Sequence, residues 1–287
     1  IGASGDGIQS LIYLDPEASG SLLTEEYFTW LERFLGTEAI PARPMWDIAN
    51  STIDRIHELY KNKGKLGLQT GFKDFDKVSG GLKKKKFYVM AAESKAGKST
   101  FTLNVANVAA GLNNKGVALF SLEMDREEIA DYLTCMNASV NRNKFNSGYF
   151  EEEDWKPMGD AVHKIARMPL WIFDSPSLTA QDIVDRTHRL RAEHDIALVI
   201  VDYLQLVIAE DERVNREQQV TNIVRTLRIL ANEADVPVLA LSQLNDEGKL
   251  RESRAIGHDA HAIFMLEETK EVDDYMAPRE LNFKTIR

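Results

Sequence analysis

The most constraining feature of this chain is a set of short apolar runs that do not alternate with polar residues. They are FYVMAA (87–92), VALFSL (117–122), LWIFD (170–174), ALVIVD (197–202), VPVLALSQ (236–243) and AIFML (262–266). A strand with one face in water shows a polar residue at every second position, because successive side chains point to opposite faces. Runs that are apolar throughout must be covered on both faces. Between most of them lie longer stretches of helical periodicity, at 99–112, 125–138, 179–194 and 215–233. Strand and helix in repetition predict an α/β fold with a mostly parallel central sheet flanked by helices.

The 287 residues suffice for one large domain of this kind with smaller attachments. Ahead of the alternating region, residues 1–20 are rich in Gly and Ser. Residues 24–35 have a helical pattern, with Thr24 as cap and Gly36 as stop. GTEAIPARP (36–44) then carries two prolines that deny it regular hydrogen bonding. A second helix is expected over 45–62, with Ile53, Ile56 and Tyr60 on one stripe, before Gly64 and Gly67. The chain therefore divides into 1–45, an N-terminal helical segment with a Pro linker; 46–67, a linker helix; and 68–287, the main domain.

The first residue is Ile1, no basic-then-apolar leader follows, and the chain reads as part of a longer one. No apolar run approaches the ~20 residues of a membrane span. The single cysteine, Cys135, excludes an internal disulfide and suits a reducing cytoplasm; its setting, DYLTCMNASV, is that of a buried core thiol. A net charge of −10 excludes a surface coated all over by nucleic acid, while leaving room for a narrow basic loop or channel. The run KKKK at 83–86 reads as a solvated turn before a strand.

The first strand ends in AAESKAGKSTF (91–101), which places a Gly-Lys-Ser triplet at a strand-to-helix junction. This is the P-loop arrangement, a phosphate-wrapping turn followed by a helix whose first amides face the anion. Ser94, Lys95, Ala96, Gly97, Lys98, Ser99 and Thr100 form the predicted nucleotide cradle. Gly97 allows close backbone approach, Lys98 reaches the β- and γ-phosphate oxygens, and the Ser99 hydroxyl is available to Mg2+. The usual first glycine of the pattern is Ala92 here, which the turn tolerates where φ stays negative.

Asp202 ends a near-continuous apolar strand, where it either closes an Asx-turn or holds Mg2+ beside the P-loop. Glu123 leaves the same sheet edge after VALFSL and is the best candidate to orient a water attacking a phosphoryl group. Glu127 and Glu128 read instead as first-turn acids favoured by the helix dipole. Ser242 and Gln243 end another buried strand; Gln243 either caps it or senses the γ-phosphate. Just downstream, Lys249, Arg251 and Arg254 form a basic cluster suited to phosphates. His258 and His261 have no further ligand nearby, which argues against zinc.

LQTGFKDFDKVSGGL, AAESKAGKSTFTLN, FSLEMD, IVDYLQL, VPVLALSQLN and LRES, in that order, resemble the C-terminal motor domain of DnaB-like hexameric replicative helicases, over roughly 47–287. The resemblance implies a RecA-like P-loop NTPase fold, in a family where alanine at the position of Ala92 is usual. It implies Lys98 and Ser99 for nucleotide and Mg2+, Glu123 as catalytic base, Asp202 as the Walker B acid and Gln243 as sensor. It also implies that Arg251, Glu252 and Arg254, with Lys249 beside them, lie on a central-channel loop that follows single-stranded DNA. The helix within 46–67 becomes a linker helix docking on a neighbouring subunit, and 1–45 a remnant of a collar domain. Three departures accompany the resemblance. Only DEGK separates LSQLN from LRES, where the family carries a longer loop. Arg254 stands where glycine is usual. The chain stops at FKTIR, so Arg287 is the candidate for the family's trans arginine finger, with Lys284 one residue out of register for the usual Lys-x-Arg.

The implied activity is that of an ATP-dependent replicative DNA helicase, a ring-shaped homo-hexamer that hydrolyses NTP between subunits, moves along single-stranded DNA and unwinds duplex. ATP or another NTP and Mg2+ are the implied cofactors. The implied partners are single-stranded DNA and the replication fork, with primase and a helicase loader beyond them and no membrane, in the cytoplasm of a bacterial or phage-infected cell. Two rivals stand beside it: a RecA/RadA-like recombination ATPase on the same fold, and a non-hydrolysing helicase loader or nucleotide-gated scaffold. The linker helix and the LRES loop weigh against the first, and Glu123 and Gln243 against the second.

Overall fold

The computed structural model describes residues 44–64, 67–94, 96–209, 211, 213–245, 253–268 and 281–285. The apolar runs become β1 (Phe87–Ala92), β2 (Gly116–Ser121), β3 (Leu170–Phe173), β4 (Ile196–Asp202), β5 (Val238–Gln243) and β6 (Ala262–Glu268). These pair in parallel in the order β3-β2-β4-β5-β1-β6. The sheet is closed by β7 (Leu281–Thr285), antiparallel to β6. The sequence reading contains no β7. The segment LNFKT lacks a continuous apolar run, and as an edge strand it pairs on one side only.

Both faces of the sheet are buried, as runs without alternation require. Phe87, Val89, Phe120, Val199 and Val201 face one core. Their neighbours Tyr88, Met90, Leu119, Leu198 and Ile200 face the other. The first core is covered by α7 (Ala180–Glu193) and α8 (Arg216–Glu233), through residues such as Ile183, Val224 and Leu227. The second is covered by α3 (Lys98–Ala106), which continues through a π-helical turn (Asn107–Leu112), and by α4 (Arg126–Ala138), through Phe101, Val105, Ile129 and Leu133. Cys135 is buried on α4, in the core setting its neighbours predict.

The expected helix starts are supplied with caps that satisfy otherwise orphaned amides. Asp125 accepts from the Glu128 N–H at 2.7 Å to open α4. Thr179 and Asp182 form a capping box on α7, and Asn215 accepts from the Gln218 N–H at 2.9 Å to open α8. α1 (Met45–Lys61) carries no buried residue, and Ile53, Ile56 and Tyr60 of its stripe are all exposed. α2 (Lys73–Ser79), α5 (Arg142–Ser147) and α6 (Glu152–Ile165) are additions to the sequence reading, and α9 (Ser253–Asp259) precedes β6. Pro157 inside α6 removes one amide donor from the helical ladder, which weakens its sequence signature.

The chain divides into two compact units, Ile1–Ile56 and His57–Arg287. Every element from α2 onward belongs to the second. Its entry is clasped where Leu68 and Leu82 pair as an isolated antiparallel bridge. A Cβ on Gly67 would lie 2.4 Å from the Gly81 carbonyl carbon, so both chains need bare backbone here. Between the clasp residues, buried Asp76 accepts from the Thr70 N–H (2.9 Å), the Thr70 hydroxyl (2.8 Å) and the Gly71 N–H (3.0 Å). Lys83, Lys84 and Lys85 are exposed in the turn before β1, as their charge requires. Among the described residues, no helix is long and apolar enough to cross a membrane.

Candidate functional site

In a parallel sheet all the strand ends of one polarity share an edge, and here that edge gathers the polar residues of the apolar runs. Register places Ala92 of β1 opposite Gln243 of β5, and Ser121 of β2 opposite Asp202 of β4. The two pairs are tied across. The Leu244 N–H donates to the Ala92 carbonyl at 3.0 Å, and the Leu122 N–H donates to the Asp202 carbonyl at 2.8 Å.

The P-loop turn leaves β1 through Glu93 and Ser94 and enters α3 at Gly97, whose φ of 90° in the left-handed region is costly for any residue with a Cβ. Lys98 is only 9% exposed, and its Nζ donates to the Glu93 carbonyl at 3.0 Å and the Ala92 carbonyl at 3.4 Å. Burial pushes the Lys98 ammonium down from its ordinary value, opposed by the attraction of Asp202 and Glu123. The turn carrying Glu123 is closed by Ser121, whose Oγ donates to the Met124 carbonyl at 2.7 Å and accepts from the Met124 N–H at 3.2 Å. Glu123 itself is exposed at the edge of the cavity.

Asp202 is 4% exposed. Its burial raises the carboxyl to about 6; a hydrogen bond from Ser99 lowers it, the charge of Glu123 raises it, and that of Lys98 lowers it. Its Oδ1 is buried and has no hydrogen-bond partner among the described residues. An open carboxylate oxygen beside a serine hydroxyl is an all-oxygen donor set of the kind that suits Mg2+. Among the described residues no cluster of three or more His, Cys, Asp or Glu side chains is arranged to hold a metal. His261 instead accepts the Phe87 N–H on Nδ1 at 3.0 Å.

Ser94, Ala96, Gly97, Lys98, Ser99, Thr100, Glu123 and Gln243 border one cavity of about 850 Å³. A smaller hollow of about 380 Å³, lined by His163, Lys164 and Arg167, contains none of the predicted residues. Of the other predicted residues, Lys95, Lys249, Arg251, Glu252 and Arg287 lie outside the described residues. Arg254 lies on α9, with its side chain outside the description, as is that of Lys284 on β7.

The structure adds residues that sequence reasoning missed. Gln205 follows Asp202 in a short 3-10 turn (Leu204–Leu206). It accepts the Gln243 N–H on Oε1 (3.2 Å) and donates through Nε2 to Ser242 Oγ (3.0 Å) and the Gln243 carbonyl (3.5 Å). Its own carbonyl accepts from Arg216 Nη2 at 2.8 Å. The polar residue inside IVDYLQL was the available signal. Tyr132 and Arg142 also line the cavity, and nothing local in the sequence marks them.

The fold and the chain both have close counterparts among known proteins. A solved structure described as an ATPase domain superposes with a TM-score of 0.73 at 27% identity, covering 82% of this chain and 94% of that one. A DnaB-like replicative helicase, solved in a study of its interactions with primase, gives a TM-score of 0.72 at 25% identity, covering 98% of this chain and 72% of that one. The replicative DNA helicase DnaB of Geobacillus stearothermophilus is 33% identical over 242 residues, which is 80% of this chain and 52% of that protein. The replicative DNA helicase DnaC of Bacillus subtilis is 32% identical over the same length. The chain thus spans about half the length of these relatives. The family described as DnaB-like helicase C terminal domain matches residues 67–284, and the chain belongs to it.

Proposed function

We propose that this chain is the motor portion of a replicative DNA helicase, which hydrolyses NTP at the interfaces of a homo-hexamer to move along single-stranded DNA and separate duplex. The observation that carries this reading is the convergence of Lys98, Ser99, Glu123 and Gln243 around one cavity at one sheet edge, with Asp202 buried beside Ser99 at the end of β4. A pure nucleotide switch has no use for an exposed carboxylate and a strand-end amide facing the phosphate cradle together.

In this reading the P-loop amides and Lys98 bind the phosphates. Mg2+ held by Ser99 and Asp202 would neutralise charge on the β- and γ-phosphates. Glu123 orients the attacking water and accepts its proton, and Gln243 contacts the γ-phosphate. β5 leads directly from Gln243 into the 246–252 segment holding Lys249, Arg251 and Glu252, so loss of that contact is transmitted toward the DNA loop, with Arg254 at its far end. Arg287 serves the neighbouring subunit's site as its arginine finger. The exposed apolar stripe of α1 supports a ring in which this helix docks on the next copy of the chain. A primase is the expected partner beyond DNA.

The test combines Glu123→Gln and Lys98→Ala with hydrolysis and forked-duplex unwinding assays and sizing of the oligomer. Glu123→Gln is expected to bind nucleotide and lose at least about 100-fold in DNA-stimulated hydrolysis, the order seen when a group acting on the transition state is removed. Lys98→Ala is expected to lose binding. A wild-type ring that hydrolyses NTP on DNA but never opens a fork favours the recombination-type reading instead.

A further inference from the structure

The cavity extends past the phosphate cradle to a wall for which the proposed hydrolysis has no task. Tyr132 lies on α4, and Arg142 opens α5 beyond the turn at Asn141. Folding brings the Arg142 guanidinium face-on to the Tyr132 ring, with Cζ 3.2 Å from the ring centroid. Glu128, one turn earlier on α4, fixes the same guanidinium from the side, with Oε1 2.7 Å from Nη2. The ring is itself rooted in the second hydrophobic core. Two planar groups are thus stacked, anchored and half-buried at the border of a cavity.

One atom of this arrangement lacks a partner. Arg142 Nε is buried with no hydrogen-bond acceptor among the described residues. A buried donor without an acceptor carries the desolvation cost of that group, which the stack and the Glu128 ion pair have to offset. Thr100 and Asn104, on successive turns of α3, line the same cavity. The lining thus runs from the cradle residues 96–99 to side chains of α3, α4 and the start of α5. Glu123 and Gln243 stand at the sheet-edge end, where the terminal phosphate belongs. The remainder of a nucleotide has to leave along the rest of that lining.

We infer that Tyr132 and Arg142 form the nucleoside wall of this site, stacking on the base. This rests on the nucleotide reading of the same cavity. Stacking on a ring-plus-guanidinium surface accepts every base, because each has a π-face, and is stronger for the larger purines. Arginine suits the position because its charge is permanent and its plane rigid. The wall therefore sets nucleotide preference by area and leaves the phosphates to the P-loop.

The experiment measures Mg2+-dependent binding of ATP, GTP, CTP and inorganic triphosphate by the full chain. Wild type is expected to bind ATP and GTP several-fold tighter than CTP, and inorganic triphosphate more weakly than any of them. Tyr132→Ala and Arg142→Ala are each expected to weaken ATP about tenfold, the scale of one lost base stack, with inorganic triphosphate unchanged within about twofold. Tyr132→Phe is expected to match wild type, since it keeps the stacking face. Melting curves check the fold; if Tyr132→Ala unfolds, Tyr132→Leu and Arg142→Gln carry the comparison. Parallel losses for ATP and inorganic triphosphate, or no loss for either, overturn the wall. A wild-type chain that binds none of the four overturns the nucleotide reading beneath it, and Lys98→Ala, expected to lose all four, tells the two failures apart.

Discussion

Replacing Asp202 by asparagine is expected to make the nucleotide-free protein more stable while removing its activity. The carboxyl is 4% exposed, and burial lifts it from 3.8 to about 6. At about 1.4 kcal/mol per pH unit, the ionised form costs the native state about 3 kcal/mol. That figure already contains the attraction of Lys98, so losing the attraction does not have to be subtracted again. Asparagine keeps the shape without the charge, but its amide must find partners where Oδ1 has none, which costs about 1–2 kcal/mol. The net gain at neutral pH is about 1–2 kcal/mol, or roughly 2–6 °C in melting temperature for a domain of this size.

The pH dependence separates this account from a general packing effect. The native-state value lies above the ordinary one, so between about 4 and about 6 the native wild type holds a proton that the unfolded chain has lost. Wild-type stability therefore falls as pH rises through that window, and the variant lacks that slope. Melting by calorimetry in EDTA, at steps from pH 4 to 8, should show the variant about 1 kcal/mol less stable than wild type at pH 4 and about 1–2 kcal/mol more stable at pH 8, with the two curves crossing in between. With Mg2+ and nucleotide the order reverses, because only wild type gains the linkage stabilisation of about 2.7 kcal/mol at a hundredfold excess over Kd. A difference between the two proteins that ignores pH, or an asparagine variant less stable at pH 8, refutes the reasoning.

Gln205→Ala should lower kcat roughly tenfold with KM held within about twofold, because the amide pins the strand end bearing Gln243 and touches no phosphate; a rise in KM at constant kcat in steady-state assays assigns it to binding instead. Arg126→Ala releases Asp174, which Arg126 grips at 2.8 and 2.6 Å and holds at about 2. Because that value lies below the ordinary one, the pair stabilises above about 4 and the gain is lost as pH falls toward 2. Acid titration followed by circular dichroism should show a shallower acid limb in the variant, and the difference should fade in about 1 M salt, since the Arg126 side chain is 65% exposed.

The readable parts of this molecule are those whose information is local. Each of the six parallel strands was visible because burial on both faces demands an unbroken apolar run, and α4, α7 and α8 because their caps, Asp125, Thr179 and Asn215, stand directly before a periodic stretch. Lys98 and Ser99 were marked by the Gly-Lys-Ser triplet at a strand-to-helix junction, and Asp202 by a carboxylate closing an apolar run. β7 and α6 were not, since pairing to β6 supplies the first with its partner and Pro157 interrupts the second. Arg142 stacks on Tyr132 only after α4 has turned back, and Arg126 meets Asp174 from 48 residues away. Neither periodicity nor a cap marks such pairs in the sequence.

The same apolar runs raise a question of register that hydrophobicity alone leaves unanswered. A strand polar on one face resists slipping by one residue, because the slip turns its apolar set into water. A strand such as β4, apolar on both faces, loses little apolar contact on the same slip. What resists it is the polar residue at the end. Sliding Asp202 inward buries a carboxylate already raised by burial, and sliding it outward breaks the Leu122 N–H bond to its carbonyl. For β5 the equivalent lock is the Gln205 amide, which accepts from the Gln243 N–H and donates to the Gln243 carbonyl, with the Leu244 bond to Ala92 beyond it. Asp202, proposed to hold Mg2+, thus also resists a slip of β4, and Gln205, which is given no phosphate, holds the end of β5 that bears Gln243. The polar strand ends therefore set the register of β4 and β5 where apolar contact alone does not.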